Sequence, residues 1–103
     1  MILDVWNAST GVGVIKSNQT GVKCWLNALI SNNTGGPITL NLGIAKNTSN
    51  PKQYVKVCPK DLTLAAGESF EVTKIGFPPA WEFQITTTGS IDYFVSLYDE
   101  NHP

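Results

Sequence analysis

A chain of 103 residues with 15% charged side chains and a net charge of −1 has no basic surface of the kind that neutralises phosphates, which argues against a nucleic-acid partner. Its 42% hydrophobic content, with three Trp, four Phe and three Tyr, excludes disorder, and its length leaves room for one core, so residues 1–103 read as a single domain. No apolar run approaches the roughly 18 residues of a membrane span, and Met1-Ile2-Leu3-Asp4-Val5-Trp6 lacks the basic and apolar regions of a secretory signal, so a soluble chain without a membrane partner is expected.

Period-two alternation recurs along the chain and the 3.6-residue helical period is nearly absent, which predicts strands throughout. Residues 1–11 read as an N-terminal arm, and Leu3 and Val5 within it and Val12 to Lys16 beyond it complete the set of strand segments. The turn Asn18-Gln19-Thr20-Gly21 leads into a long strand with Val22, Cys24, Leu26, Ala28 and Ile30 on one face. Trp25 and Leu29 on its other face are apolar enough to meet a loop, a second sheet or another subunit. Next comes Asn33-Thr34-Gly35-Gly36-Pro37, where Gly and Asn supply positive φ and Pro blocks continuation. That reversal sets the register of the next strand, which sends Ile38, Leu40, Leu42 and Ile44 to one face.

Tyr54 to Val57 and Leu62 to Leu64 read as short strands, while Asp61 to Ala66 is the one segment with any helical character and is too short to stand alone. After the turn Ala65-Ala66-Gly67-Glu68, Ser69 to Lys74 places Phe70 and Val72 together. Beyond Gly76-Phe77-Pro78-Pro79, Trp81, Phe83 and Ile85 share a face. After Thr88-Gly89-Ser90, Ile91, Tyr93, Val95 and Leu97 do the same, and residues 99–103 form a C-terminal tail. Seven or eight short strands in so short a chain are what two packed antiparallel sheets require: an all-β sandwich, with jelly-roll connectivity among its topologies.

Little chemistry is spelled out. The single histidine, His102, lies next to the C-terminus with no nucleophile in a recognisable setting, and the eight carboxylates read as solvated surface, so no catalytic residue is assigned and an enzyme is not expected. Asp99-Glu100-Asn101 lacks the spacing and glycine of a calcium loop, and no phosphate-binding glycine pattern occurs; neither metal nor cofactor is expected. Cys24 and Cys58 match no redox or metal spacing and read as reduced thiols. Four Asn-x-Ser/Thr triplets, at Asn7, Asn18, Asn32 and Asn47, read as turn chemistry rather than glycosylation sites.

The order of units carries a resemblance. A long strand Val22 to Ser31, an Asn-Asn-Thr-Gly-Gly turn and an alternating strand Ile38 to Ile44 are succeeded by Tyr54 to Leu64, the turn Leu64-Ala65-Ala66-Gly67-Glu68, Phe70-Glu71-Val72, and a closing strand Ile91 to Tyr98 ending in an acid. Over roughly residues 12 to 100 this resembles the small β-sandwich virion proteins of tailed bacteriophages: capsid decoration (cement) proteins, head fibres and appendage modules. One departure stands out, because Ile75-Gly76-Phe77-Pro78-Pro79-Ala80-Trp81-Glu82 occupies the place where many relatives carry a second Ala-Gly-Asp/Glu turn.

The resemblance implies a non-enzymatic capsid decoration protein, made in the host cytoplasm and resident on the virion surface. It would bind the major capsid protein across subunit joints as a homo-oligomer, with a trimer favoured. Apolar side chains in or beside predicted connections, Trp6, Trp25, Phe77, Pro78, Pro79 and Trp81, are the expected interface. The alternative is a carbohydrate- or receptor-binding module of a tail fibre or neck appendage, with Trp25, Tyr54 or Trp81 as a platform for glycan.

Overall fold

The computed structural model describes residues 2–10, 13–46 and 54–99. Its strands are β1 (Ile2–Thr10), β2 (Gly13–Ser17), β3 (Cys24–Asn32), β4 (Ile38–Lys46), β5 (Val55–Lys56), β6 (Leu62–Leu64), β7 (Ser69–Phe77), β8 (Trp81–Thr87) and β9 (Ile91–Asp99). One sheet has the order β1-β9-β3-β7. The other has the order β2-β8-β4-β5, with β6 also paired to β4, and every pairing is antiparallel. Apart from β4, β5 and β6, which stay in one sheet, consecutive strands alternate between sheets, which is jelly-roll connectivity. Nine strands appear among the described residues where seven or eight were expected, and the two short strands read at Tyr54 to Val57 and Leu62 to Leu64, β5 and β6, lie along the same edge of β4. They pair with β4 at Gly43–Ile44 and at Ile38–Leu40, three positions out of common register.

Between the sheets the predicted faces meet. Leu26, Ile30, Leu40, Phe77, Phe83, Ile85, Ile91, Val95 and Leu97 are no more than 1% exposed, and burying each such side chain contributes about 1.5–3 kcal/mol before entropy is set against it. Two bulges alter the expected phase. In β1 the register slips between Ile2 and Asp4, so Leu3 and Trp6 both pack against the core while Val5 turns outward; Leu3 and Val5 do not share a face. In β7 a second slip opposite Asn27 returns Ile75 and Phe77 to the core, and the bulged Lys74 has φ +58° with its N–H donated to Asn27 Oδ1 at 2.8 Å.

Two expectations change. Residues 2–10 are no free arm, because β1 pairs with β9 along the strand. The strand read at Leu62 to Leu64 is present and pairs with β4, and Asp61 before it, at φ +55°, exchanges two hydrogen bonds with the Asn41 side chain. Phe77 is a fully buried end of β7 rather than part of a connection.

Two corners where the chain switches sheets, β2–β3 and β3–β4, share one construction. Asn32, at the end of β3, is 1% exposed; its Nδ2 donates to Gly36 O (2.8 Å) and Leu64 O (3.0 Å), and its Oδ1 accepts from Thr34 N and Oγ1. Near the end of β2, Asn18, 3% exposed, repeats this: Nδ2 donates to Val22 O and Phe77 O, each at 2.9 Å, and Oδ1 accepts from Thr20 N and Oγ1. The amide nitrogen that glycosylation would need is thus consumed in both triplets, as the turn reading requires; Asn7 is exposed on β1, and Asn47 lies outside the described residues.

Each asparagine backbone also clamps a distant turn. Asn32 N donates to Glu68 O and Asn32 O accepts from Gly67 N, across a turn closed by Glu68 N to Ala65 O with Gly67 at φ +75°. In the same way Asn18 N donates to Trp81 O and Asn18 O accepts from Ala80 N, across a turn closed by Trp81 N to Pro78 O with Ala80 at φ +68°. Pro78-Pro79-Ala80-Trp81 therefore takes the same part as Ala65-Ala66-Gly67-Glu68, both being type II turns with a left-handed third residue, and Pro79 suits the second position.

Two substitutions at these corners should shift stability in denaturant. Ala80→Gly relieves an L-residue held in the left-handed region and should raise stability by about 0.5–1 kcal/mol. Asn32→Ala strands the Leu64 carbonyl and the Thr34 N–H at a buried corner, while Gly36 O keeps the Thr34 hydroxyl, so its midpoint should fall by an amount equivalent to about 2–3 kcal/mol.

Candidate functional site: the outer face of the four-stranded sheet

Strand alternation leaves the odd-numbered side chains of β3 and the even-numbered ones of β9 pointing away from the core. One row across the sheet is Asn7, Phe94, Leu29 and Glu71, in the registers Asn7↔Phe94, Leu29↔Phe94 and Leu29↔Glu71. Phe94 is 47% exposed, Leu29 40% and Val5 39%, so three neighbouring strands each present an apolar group to water. Beside Phe94 on one side lies a shallow groove of about 400 Å³ lined by Asn7, Leu29, Ser31, Asp92 and Phe94. On its other side a hollow of about 220 Å³ is bounded by Asn27, Leu29, Glu71, Phe94 and Ser96. The Phe94 ring is thus a ridge between two depressions.

The face is polarised along its strands. At one end Asp92 accepts from Asn33 Nδ2 at 3.1 Å, near the Ser31–Ser69 hydroxyl pair (2.7 Å), with Glu71 one row in. At the other, Lys23 and Lys74 hold their ammonium groups 5.6 and 5.7 Å from the centroid of the Trp25 ring. The β7 bulge lets Lys74 reach this ring, since it places two residues opposite Asn27 and swings the side chain outward.

The interface residues expected from sequence are dispersed. Trp6 lies edge-on to Phe77, centroids 6.4 Å apart at 82°, and gives its Nε1–H to Asp4 Oδ2 at 2.9 Å; the pair belongs to the core, and Phe77 has no surface to offer. Trp81 packs half-buried against the same core. Pro78 is half-buried and Pro79 exposed at the turn, and Trp25 alone of the three tryptophans lies on the outer face. Phe94 was not singled out by sequence, although the run Tyr93-Phe94-Val95 carries the signal: in a strand, three consecutive apolar residues must turn one outward.

Elsewhere the polar groups are occupied in holding the fold. Glu68 Oε1 accepts from Ala65 N, Asp4 from Val5 N and Trp6, and Asp61 from Asn41. Tyr54 lies over Gly43 so closely that a Cβ there would stand 2.9 Å from the Tyr54 Cβ, and its hydroxyl donates to the buried Glu82 at 3.1 Å. Among the described residues no three His, Cys, Asp or Glu side chains gather as a metal site would need.

No protein-family model matches this sequence, and no curated protein matches it either. Its fold does have solved counterparts. The nucleoplasmin-like N-terminal domain of Drosophila FKBP39 is similar at a TM-score of 0.56 and 17% identity, over 96% of this chain and 91% of that one. Weaker likenesses are to a chain of infectious bursal disease virus Gx strain (TM-score 0.48, 15% identity, 98% of this chain and 32% of that) and to the Clostridium thermocellum xylanase 10B CBM22-1–GH10 modules complexed with xylohexaose (0.45, 16%, 98% and 26%). The first of these establishes the all-β sandwich fold and nothing finer.

Both cysteines are free thiols. Cys24 is fully buried beside Asn18 and Thr20, while burial pushes the half-buried Cys58 thiol up, only partly offset by a hydrogen bond with the Leu42 backbone. Desolvation penalises the thiolate, so the proton is held more tightly in the folded chain. In an iodoacetamide titration Cys58 should be alkylated only at higher pH than a free thiol, and Cys24 only on unfolding.

Proposed function

We propose that this chain is a non-enzymatic structural protein of a tailed-phage virion, a capsid decoration protein that binds the major capsid protein across subunit joints on the particle surface. The observation that carries this reading is the Val5–Leu29–Phe94 patch. It is an exposed apolar group on the outer face of a four-stranded sheet, rimmed by polar side chains, which is the anatomy of a protein-docking surface. The Asn-Asn-Thr-Gly-Gly and Ala-Gly-Glu turns behind the resemblance to phage virion proteins support it as well, because here they clamp to each other at one sandwich corner, Asn32 on Gly67 and Glu68. A thin sandwich locked in this way adds adhesive area without moving parts, and many weak contacts across a shell gain from each other's proximity. The carboxylates engaged in turn and strand hydrogen bonds are consistent with a role in which no bond is made or broken.

A second reading, glycan recognition, is favoured by one observation: Phe94 stands beside Asn7, Ser31 and Asp92 in the outer-face groove, a ring next to hydrogen-bonding groups. Incubation of the chain with purified expanded capsids separates the two. Decoration predicts co-sedimentation at a fixed copy number set by shell symmetry, lost in Phe94→Asp. Absence of capsid binding, together with a glycan affinity that Phe94→Ala removes, would overturn it in favour of the second.

A further inference from the structure

The outer face of the four-stranded sheet is complementary to itself, and we propose that a second copy of this chain docks there, face to face, about a two-fold axis. The axis crosses the strands between the Leu29–Phe94 row and the Asn27–Ser96 row. This rests on reading the face as adhesive and names its partner in the free protein; a second copy and a capsid subunit cannot hold the same patch at once, so docking on the capsid requires release of the two-fold contact.

Rotation about such an axis reverses the direction along the strands and keeps each strand over its own counterpart. Phe94 of one copy then enters the hollow bounded by Asn27, Leu29, Phe94 and Ser96 of the other, and the two phenyl rings pack side by side against the two leucines. The same reversal lays the acidic end of one face, Glu71 and Asp92, on the basic end of the other, Lys23 and Lys74. On β7, Glu71 lies one row on one side of the axis and Lys74 at the Asn27 row on the other, so two Glu71–Lys74 pairs form across the contact. A face whose signs were mixed without order would gain nothing from this rotation; here the separation of charge along the strands makes the reversed arrangement the attractive one.

Size is sufficient. β1, β3, β7 and β9 are nine residues each; at about 3.3 Å per residue and about 4.8 Å between strands, the face offers on the order of 600 Å² per copy. Two such faces bury about 1,200 Å², the lower end of the range for a specific protein interface. The contact is two-fold, unlike the three-fold arrangement that the phage resemblance implies.

Sedimentation velocity of the full chain tests this, with thermal unfolding of every variant as a check on folding. The wild type is expected to be a dimer weakened by salt. Phe94→Asp, on an outward position, should be a folded monomer. Glu71→Lys sets lysine against lysine twice and should weaken association at least about tenfold, and the exchanged double variant Glu71→Lys/Lys74→Glu should recover it. A wild type that stays monomeric, a trimer, or a dimer untouched by Phe94→Asp overturns the proposal. Capsid co-sedimentation run in parallel keeps the two readings apart: a monomer that still binds capsids through Phe94 leaves decoration standing and removes the two-fold contact, and a dimer that ignores capsids does the reverse.

Discussion

The sandwich depends on how its corners satisfy backbone groups. A jelly roll moves the chain from one sheet to the other at nearly every connection, and wherever a strand leaves its sheet the ladder lapses and leaves carbonyls facing the core. A buried carbonyl without a donor costs about 1–3 kcal/mol, so four such crossings could cancel the stability of a small domain. Asn18 and Asn32 remove that cost. Each primary amide donates twice, once into its own turn and once to the residue entering a second crossing, Phe77 O or Leu64 O. Each asparagine thus ties two crossings together, β2–β3 with β7–β8 and β3–β4 with β6–β7.

Much of the remaining architecture depends on those ties. Clamping Asn32 to Gly67 and Glu68 fixes the start of β7 relative to β3, and clamping Asn18 to Ala80 and Trp81 fixes the start of β8 relative to β2. The first of these clamps anchors the β3–β7 register of the four-stranded sheet. Once the register is fixed, the two bulges decide which side chains face out: the β1 bulge exposes Val5, and the β7 bulge carries Lys74 to Trp25. The outer face thereby acquires an apolar centre and a separation of charge along its length. Fold and candidate function are connected through register.

Turn chemistry was the most legible layer of the sequence. The reversal at Asn33 to Pro37, the Ala65–Glu68 turn and the faces Ile38-Leu40-Leu42-Ile44 and Ile91-Tyr93-Val95-Leu97 lie where alternation and Gly/Asn/Pro punctuation place them. Alternation failed in two kinds of place. At bulges one extra residue inverts the face of the rest of the strand, as with Leu3 and Val5. At strand ends apolar residues look like parts of loops, as with Phe77, which the Asn18 amide holds at its carbonyl while its ring meets Trp6 in the core. The tryptophans drew attention as interface because they lie in or beside predicted connections, yet large rings are also what fills a sandwich core.

The sequence by itself determined the strand content, the two-faced pattern of each strand and the turn positions, because these rest on spacing within a few residues. It also marked asparagines 18 and 32 as turn residues rather than glycan acceptors. Only the tertiary structure decided that these asparagines reach carbonyls 59 and 32 positions away. It also decided that Pro78-Pro79-Ala80-Trp81 is the counterpart of Ala65-Ala66-Gly67-Glu68, and that Val5, Leu29 and Phe94 from three strands form one surface. The reason is physical: hydrogen-bond partners across a corner and side chains across a sheet are joined by strand pairing, and pairing relates residues that lie far apart along the chain.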